Sequence, residues 1–273
     1  MRVAVIANGT KDENFVNTKR LCGALAQNGI EINMGGAMQG VFDGARCDDA
    51  GLYDGVDAAI VLGGDGTILV SAVPCARLDI PVMGINLGRL GFMTETEAKD
   101  ISTAAARLKA GDYHIEERMM MKVKVGGESF LALNDCVVSK VGSQMIMAGV
   151  FAGEDKICEY IADGVIIATP TGSTGYSLSA GGPVAEPTMN MFLATPVCAH
   201  SLKARPAVLA PDKKIFVHLF GGAAEFADVT VDGTVRARLK TDERCEIVRA
   251  GVSLKLIKFG GQSFYDILTA KLV

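Results

Sequence analysis

The run Asp57-Ala58-Ala59-Ile60-Val61-Leu62-Gly63-Gly64-Asp65-Gly66-Thr67 decides how this chain is read. Its apolar half does not alternate with polar residues, the pattern of a strand buried on both faces. A turn with three glycines follows, and a helical pattern starts at Thr67. Similar units surround it. Arg2–Ala7 is another buried run, ending in the turn Asn8-Gly9-Thr10. Residues 13–27 place Phe15, Cys22, Leu25 and Ala26 at helical spacing and stop at Asn28-Gly29. Residues 81–86 form a third apolar run, and Ile101–Ala110 a helix closed by Gly111. Buried runs alternating with helices predict parallel strands joined by crossovers, an α/β domain.

The chain has 273 residues, 49% apolar and 21% charged, with Lys+Arg 27 against Asp+Glu 31 for a net charge of −4. This length suits one large domain or two modest ones, at roughly 150 residues per domain. The composition excludes a disordered chain, and the acidic balance offers no basic footprint for nucleic acid or an anionic membrane. Thirty-two glycines without a three-residue period must lie in loops. The longest apolar region, 58–76, is broken by Asp65, glycines and Pro74, so no membrane span is expected, and the N-terminal apolar run is too short for a signal peptide. Seven cysteines without a CxxC predict reduced core thiols in a cytoplasmic protein. Three histidines without metal-ligand spacing argue against a zinc site.

After about residue 117 the period changes. Met121, Val123 and Val125 alternate with Lys122 and Lys124; Ile215, Val217 and Leu219 repeat the pattern, as do Val229 and Val231, then Val235, Ala237 and Leu239, then Val252, Leu254 and Leu256. Asp232-Gly233 between two such runs signals a hairpin. The expected organisation is an α/β domain over 1–116, a β-rich domain over 117–258 and a tail over 259–273 packing back on the first domain.

Three stretches carry chemistry. Gly63, Gly64 and Gly66 let backbone N–H groups approach an anion at the carboxyl end of a parallel strand, and the N-terminus of the next helix adds partial positive charge there. Thr67 either caps that helix or reaches a phosphate. Asp65 would repel a phosphate unless a metal ion intervenes or it accepts a proton; a tight turn with an Asp N-cap is the competing reading. The loop lacks the Gly-Lys-Ser/Thr of a Walker A turn and the dinucleotide fingerprint. In the second stretch, residues 163–183, an apolar strand runs into a segment of Gly, Ser, Thr, Pro and Tyr. This is either a flexible loop or a cleft that stacks a base and bonds ribose hydroxyls. In the third, Asn134-Asp135 interrupt an otherwise apolar strand over 130–138, either as a bulge or as groups facing a ligand.

The segments Gly63-Gly64-Asp65-Gly66-Thr67, 84–92, 132–135, 163–183 and 200–206 together resemble the NAD kinase family in its bacterial, ATP- or polyphosphate-dependent form. The resemblance implies phosphorylation of the 2′-hydroxyl of the adenosine ribose of NAD, with Mg²⁺ or another divalent cation accompanying ATP or another phosphoryl donor. It implies an α/β N-terminal domain with a parallel sheet and an all-β, sandwich-like C-terminal domain, the active site between them, in a homo-oligomer (dimer or tetramer). Carried across, Asp65 matches the general base, and Gly63, Gly64, Gly66 and Thr67 the phosphate-binding turn. Asp65, Gly66, Asn134, Asp135, Asp163, Thr174, Gly175, Tyr176, Ser177 and Ser179 fall at positions around NAD. Asp135 stands where the family usually has Glu, Gly175 where Ala is usual, and Thr234 where Gln is common. The alternatives are a diacylglycerol-type lipid kinase, which would carry an Asn-Glu soon after the Gly-Gly-Asp-Gly-Thr turn, and a catalytically silent NAD(P)-binding regulator.

Overall fold

Beginning at Arg2, the chain forms β1 (Arg2–Ala7), α1 (Val16–Gln27), β2 (Glu31–Met34), β3 (Arg46–Cys47), β4 (Ala58–Gly63), α2 (Asp65–Arg77), β5 (Val82–Asn86), β6 (Thr96–Glu97) and α3 (Ile101–Ala110). This is a computed structural model, which describes residues 1–88, 91–201, 203–222 and 224–272; Arg89 and Leu90 of the 84–92 segment and Leu202 of the 200–206 segment lie outside the described residues. The strands run parallel in the order β5-β4-β1-β2-β3, with β6 beside β5. Every residue of β4 and β5 is buried, which is why both read as unbroken apolar runs. On one face, Val3, Val5, Ile60, Leu62, Met83 and Ile85 share a core with Leu21 and Leu25 of α1 and Ile101, Ala105 and Leu108 of α3. The opposite face of β5 meets α2: a methyl on Gly84 would lie 2.8 Å from Ile68 Cδ1. Bulk at this position would push α2 off the sheet.

Two helix starts differ from the sequence expectation. Residues 13–15 form a 3₁₀ turn with Asn14 and Phe15 in the left-handed region (φ 53° and 55°), so α1 begins at Val16. The buried Asp12 carboxylate satisfies the start of α1, accepting the N–H groups of Asn17 (2.9 Å) and Thr18 (2.8 Å) and the Thr18 hydroxyl (2.6 Å). Burial pushes the Asp12 acid up, but these bonds outweigh it and hold it below the usual carboxylate range. Helix α2 begins at Asp65, two residues before Thr67, so Asp65 sits in its first turn.

The antiparallel part contains β7 (His114–Val125), β8 (Glu128–Ala132), β9 (Asp135–Lys140), β10 (Ile146–Ala152), β11 (Asp155–Ala162), β12 (Gly164–Ala168), a short α4 (Tyr176–Ser179), β13 (Phe192–Val197), β14 (Ala207–Leu209), β15 (Ile215–Leu219), β16 (Phe226–Val231), β17 (Thr234–Lys240) and β18 (Arg244–Lys258). One sheet has the order β14-β13-β12-β9-β16-β17, and β11-β10-β15-β18 belong to another. Val138, Ile167 and Val229 of the first sheet share one core with Val150, Val217 and Ile247 of the second, which is the sandwich arrangement. The far face of the first sheet is also covered, where Val137, Ile166 and Leu193 pack against Ala185 and Met191. Double burial explains the unbroken apolar run of β12.

The chain divides into two compact units, Met1–Glu117 together with the chain from Leu254 onward, and Arg118–Ser253. Strand β18 therefore belongs to both, and its Leu256 pairs parallel with Val82 of β5. The segment after it forms α5 (Phe264–Leu272), with the Phe264 ring 5.7 Å from that of Phe92. The alternation in β17 holds only at its inner end. Leu239 is buried, but Val235 is 58% exposed because β17 is an edge strand. All seven cysteines are free. No helix among the described residues is long and apolar enough to cross a membrane.

Candidate active site

The glycine turn after β4 is shaped by close packing. A methyl on Gly63 would lie 2.2 Å from the Thr67 hydroxyl, so only glycine lets that hydroxyl fold back toward the Gly64 N–H, 3.4 Å away. Asn8 Nδ2 also donates to the Thr67 hydroxyl, at 3.4 Å. A methyl on Gly64 would stand 2.9 Å from Lys11 Nζ, so the β1–α1 turn hangs a cation over the first residues of α2. Around Gly66 a methyl would meet nothing within 4 Å. The amide end of α2 thus faces open space with a lysine beside it, an arrangement suited to phosphate.

Asp65 has a second partner that the motif does not reveal. Its carboxylate accepts the N–H groups of Phe92 (2.8 Å, to Oδ2) and Met93 (3.1 Å, to Oδ1). A methyl on Gly91 would come within 2.1 Å of Asp65 Oδ1 and 2.5 Å of the Thr94 hydroxyl. Thr94 Oγ1 is itself buried without a hydrogen-bond partner. On the other side the Leu87 N–H donates to the Gly63 carbonyl, 2.9 Å. Leu87, Phe92 and Met93 are therefore laced to the glycine turn, and Asp65 is the knot. Each of its oxygens accepts one amide and keeps a lone pair for a further donor.

The second constellation lies in Arg118–Ser253. The expected single strand over 130–138 is broken at Leu133-Asn134: β8 pairs with β7, whereas β9 pairs with β12 and β16 in the other sheet. Where the chain changes sheets, the Asp232 carboxylate accepts three consecutive N–H groups, those of Leu133 (2.7 Å), Asn134 (2.8 Å) and Asp135 (3.1 Å). Asp232 and Gly233 form the expected two-residue hairpin turn, both with positive φ (44° and 78°). Segment 169–182 is an ordered run of tight turns packed on this junction. The Thr169 N–H donates to the Asn134 carbonyl at 2.9 Å, a methyl on Gly172 would collide with that carbonyl at 2.2 Å, and one on Gly175 would lie 3.9 Å from Asn134 Nδ2.

Asn134 Oδ1 is buried with no hydrogen-bond partner. Asp135 is 7% exposed; burial first, then the Asp232 charge, pushes its acid up to about 7. Burial raises Asp232 as well, and the three amides and Arg236 offset only part of that; Asp135 has no such offsetting partners among the described residues, so Asp232 is the member of the pair better suited to carry the charge. Thr174 and Gly175 are half-buried, Tyr176 is 48% exposed and Ser179 is exposed. The Ser177 hydroxyl turns inward and is hydrogen-bonded to the Thr195 hydroxyl at 2.9 Å.

Two family models match this chain, the ATP-NAD kinase N-terminal domain over residues 3–113 and the ATP-NAD kinase C-terminal domain over residues 133–259. The chain is 38% identical to an NAD kinase of Lachnoclostridium phytofermentans and 39% identical to one of Heliobacterium modesticaldum, each alignment covering 99% of this chain and 98% of the relative. This chain belongs to the NAD kinase family. Among solved structures, the NAD kinase of Archaeoglobus fulgidus in complex with ATP superposes with a TM-score of 0.77 at 26% identity, covering 99% of this chain and 98% of that one. Yeast NADH kinase complexed with NADH shares the fold, with a TM-score of 0.83 at 19% identity over 100% and 87% of the two chains. With both halves matched to NAD kinases, neither the lipid-kinase nor the silent-regulator alternative is favoured.

Within this NAD kinase fold, the expected site residues sort into groups. Gly63, Gly64, Asp65, Gly66 and Thr67 are together at the start of α2, and Asn134 and Asp135 are together with the turn holding Thr174 and Gly175. Asp163 is not with them. It precedes β12 at the end opposite Ala168, five residues or about 17 Å along the strand, and forms a 2.6 Å ion pair with Lys140. Sequence reading missed Asp232 as a side chain, the Phe92 and Met93 amides, and Lys11. The Asp232-Gly233 hairpin signal was the available hint for the first; backbone amides leave no trace in residue identity.

Proposed function

We propose that this chain transfers the terminal phosphoryl group of ATP to the 2′-hydroxyl of the adenosine ribose of NAD, making NADP. The observation that carries the reading is Asp65 in the first turn of α2, beside the open amide end of the glycine turn. Phosphoryl transfer asks a protein mainly to position groups and offset charge. In this reading the Gly63–Gly66 amides and Lys11 hold the donor phosphates. Asp65, held in place by the Phe92 and Met93 amides, spends a remaining lone pair on the ribose hydroxyl and takes its proton as the new O–P bond forms. Asn134 and Asp135 grip the dinucleotide, with the buried Asn134 Oδ1 awaiting a donor, and Tyr176 offers an exposed ring for stacking.

Among the described residues no three His, Cys, Asp or Glu side chains converge as a metal cage. Asp65, the carboxylate of the turn with lone pairs left over, would stand beside a divalent cation carried by the donor's phosphates. Such a cation, when bound, neutralises charge on the transferring phosphoryl group. Seven free thiols favour a reducing, cytoplasmic setting. A homo-oligomer is part of the proposal, supported by Ile157 and Ile161, 40% and 48% exposed on the edge strand β11; sedimentation tests it. For the activity, purified protein is incubated with NAD, a divalent cation and a panel of donors, and NADP is read by an NADP-specific dehydrogenase. NADP formed with ATP supports the reading; none with any donor overturns it.

A further inference from the structure

We propose that Asp232 is a positioning residue of the acceptor site: its carboxylate fixes the Leu133–Asp135 backbone from which Asn134 and Asp135 act, and holds Asp135 beside a fixed negative charge. The inference rests on the function proposed above, and three observations carry it. First, the three N–H groups that Asp232 accepts belong to consecutive residues at the point where the chain leaves one sheet for the other. No strand partner serves all three there, so without the carboxylate buried donors would be stranded. Second, the grip is reciprocal, because the Asp232 N–H donates to the Asp135 carbonyl at 3.1 Å. Third, the hairpin that presents Asp232 is anchored by its own ladder, since β16 pairs with β9 from Ala227↔Lys140 to Val231↔Cys136. The turn is therefore a fixed post, and the sheet-changing segment is tied to it.

This tie has a chemical consequence for Asp135. Asp232 from the hairpin turn acts on it, with Arg236 of β17 acting on Asp232 in turn; the thiol of Cys136, next along β9, points to the opposite face, where it pairs with Cys245 of β18. Its register partner on β12 is Ala168, which carries no charge. Asp232 carries the charge that its three amides stabilise, and Asp135 keeps its proton up to about pH 7. Asp135 thereby offers the ligand an O–H donor as well as an acceptor, a set that an ionised carboxylate lacks.

The test compares wild type with Asp232→Asn, Asp135→Asn and Arg236→Gln, measuring kcat and KM for NAD at saturating ATP from pH 5.5 to 9. Asp232→Asn keeps one oxygen for the Asn134 and Asp135 amides but turns an NH₂ group toward Leu133. We expect KM for NAD to rise roughly tenfold with kcat within about threefold. The kcat/KM midpoint near neutrality should fall by about one pH unit or more, because the neighbouring charge is gone. Asp135→Asn should abolish that midpoint. Arg236 is exposed, and its replacement should leave folding intact and move the midpoint upward, deciding the matter if Asp232→Asn does not fold. The inference is overturned if Asp135→Asn keeps the midpoint, if a folded Asp232→Asn keeps wild-type KM and midpoint, or if Arg236→Gln leaves the midpoint in place. A wild-type chain that makes no NADP would instead sink the proposed function. In that event, calorimetric NAD binding across the same pH range replaces kcat/KM and is read by the same criteria.

Discussion

Asp65 and Asp232 solve the same structural problem in two different settings. Each carboxylate reaches across the sequence to accept backbone amides of a segment with no complete ladder: Asp65 those of Phe92 and Met93, Asp232 those of Leu133, Asn134 and Asp135. Asp65 is half-buried at a helix start with capacity left over, whereas Asp232 sits in a hairpin turn with three donors on two oxygens. The comparison teaches that a carboxylate in a ligand site is not thereby a chemical group. What decides is how much of its hydrogen-bonding capacity the fold has already claimed.

The sharpest way to break this contrast is Asp65→Asn. It should lower kcat by roughly 10²–10⁴ while NAD affinity changes only a few-fold, read by steady-state kinetics and calorimetry. Near wild-type turnover would reduce Asp65 to the same anchoring role as Asp232. Next, Gly91→Ala forces a methyl against Asp65 Oδ1, and a displacement of about 1 Å is expected to cost up to roughly 10² in kcat with the carboxylate chemically intact. Unchanged turnover would mean that Asp65 does not need its anchor.

The pH dependence of stability sharpens the other side. Asp135 titrates at about 7 in the folded chain against 3.8 as its ordinary value, so the folded state holds a proton that the unfolded state has released. Its contribution is complete below pH 4 and is lost as pH rises through 7, on the order of 4 kcal/mol in all. Asp135→Asn should flatten this slope in denaturant titrations at pH 5 and pH 8; an unaltered slope would assign the titration elsewhere. The smallest effect is expected from Lys11→Met, a roughly threefold to tenfold rise in KM for ATP that shrinks with added salt, as befits an exposed cation. A KM unmoved at low salt would remove Lys11 from the donor site.

The strands β1, β4 and β5 were readable because double burial strips them of polar residues, and the Asp232-Gly233 turn because a two-residue hairpin demands positive φ at both positions. The break at Leu133-Asn134 was not readable. Residues on either side of it are apolar for the same reason, burial in one sandwich core, although they belong to different sheets. The start of α1 was hidden because its cap is supplied by Asp12 from beyond a 3₁₀ turn rather than by the residue next to the helix. In the site, the Gly-Gly-Asp-Gly-Thr turn was legible as a whole. The amides that tie Asp65 are 27 and 28 residues away and belong to the backbone, which every side chain would supply equally.

The return of the chain to its first unit sets an order of events during synthesis. Leu256 and α5 emerge from the ribosome only after the whole of Arg118–Ser253, some 10–30 seconds behind β5 at ordinary elongation rates. Until then the start of β5 lacks one neighbour, and Phe92, which donates its N–H to Asp65, lacks the aromatic cover of Phe264. The nascent polypeptide therefore carries the anchor of Asp65 without its aromatic cover until α5 has been made.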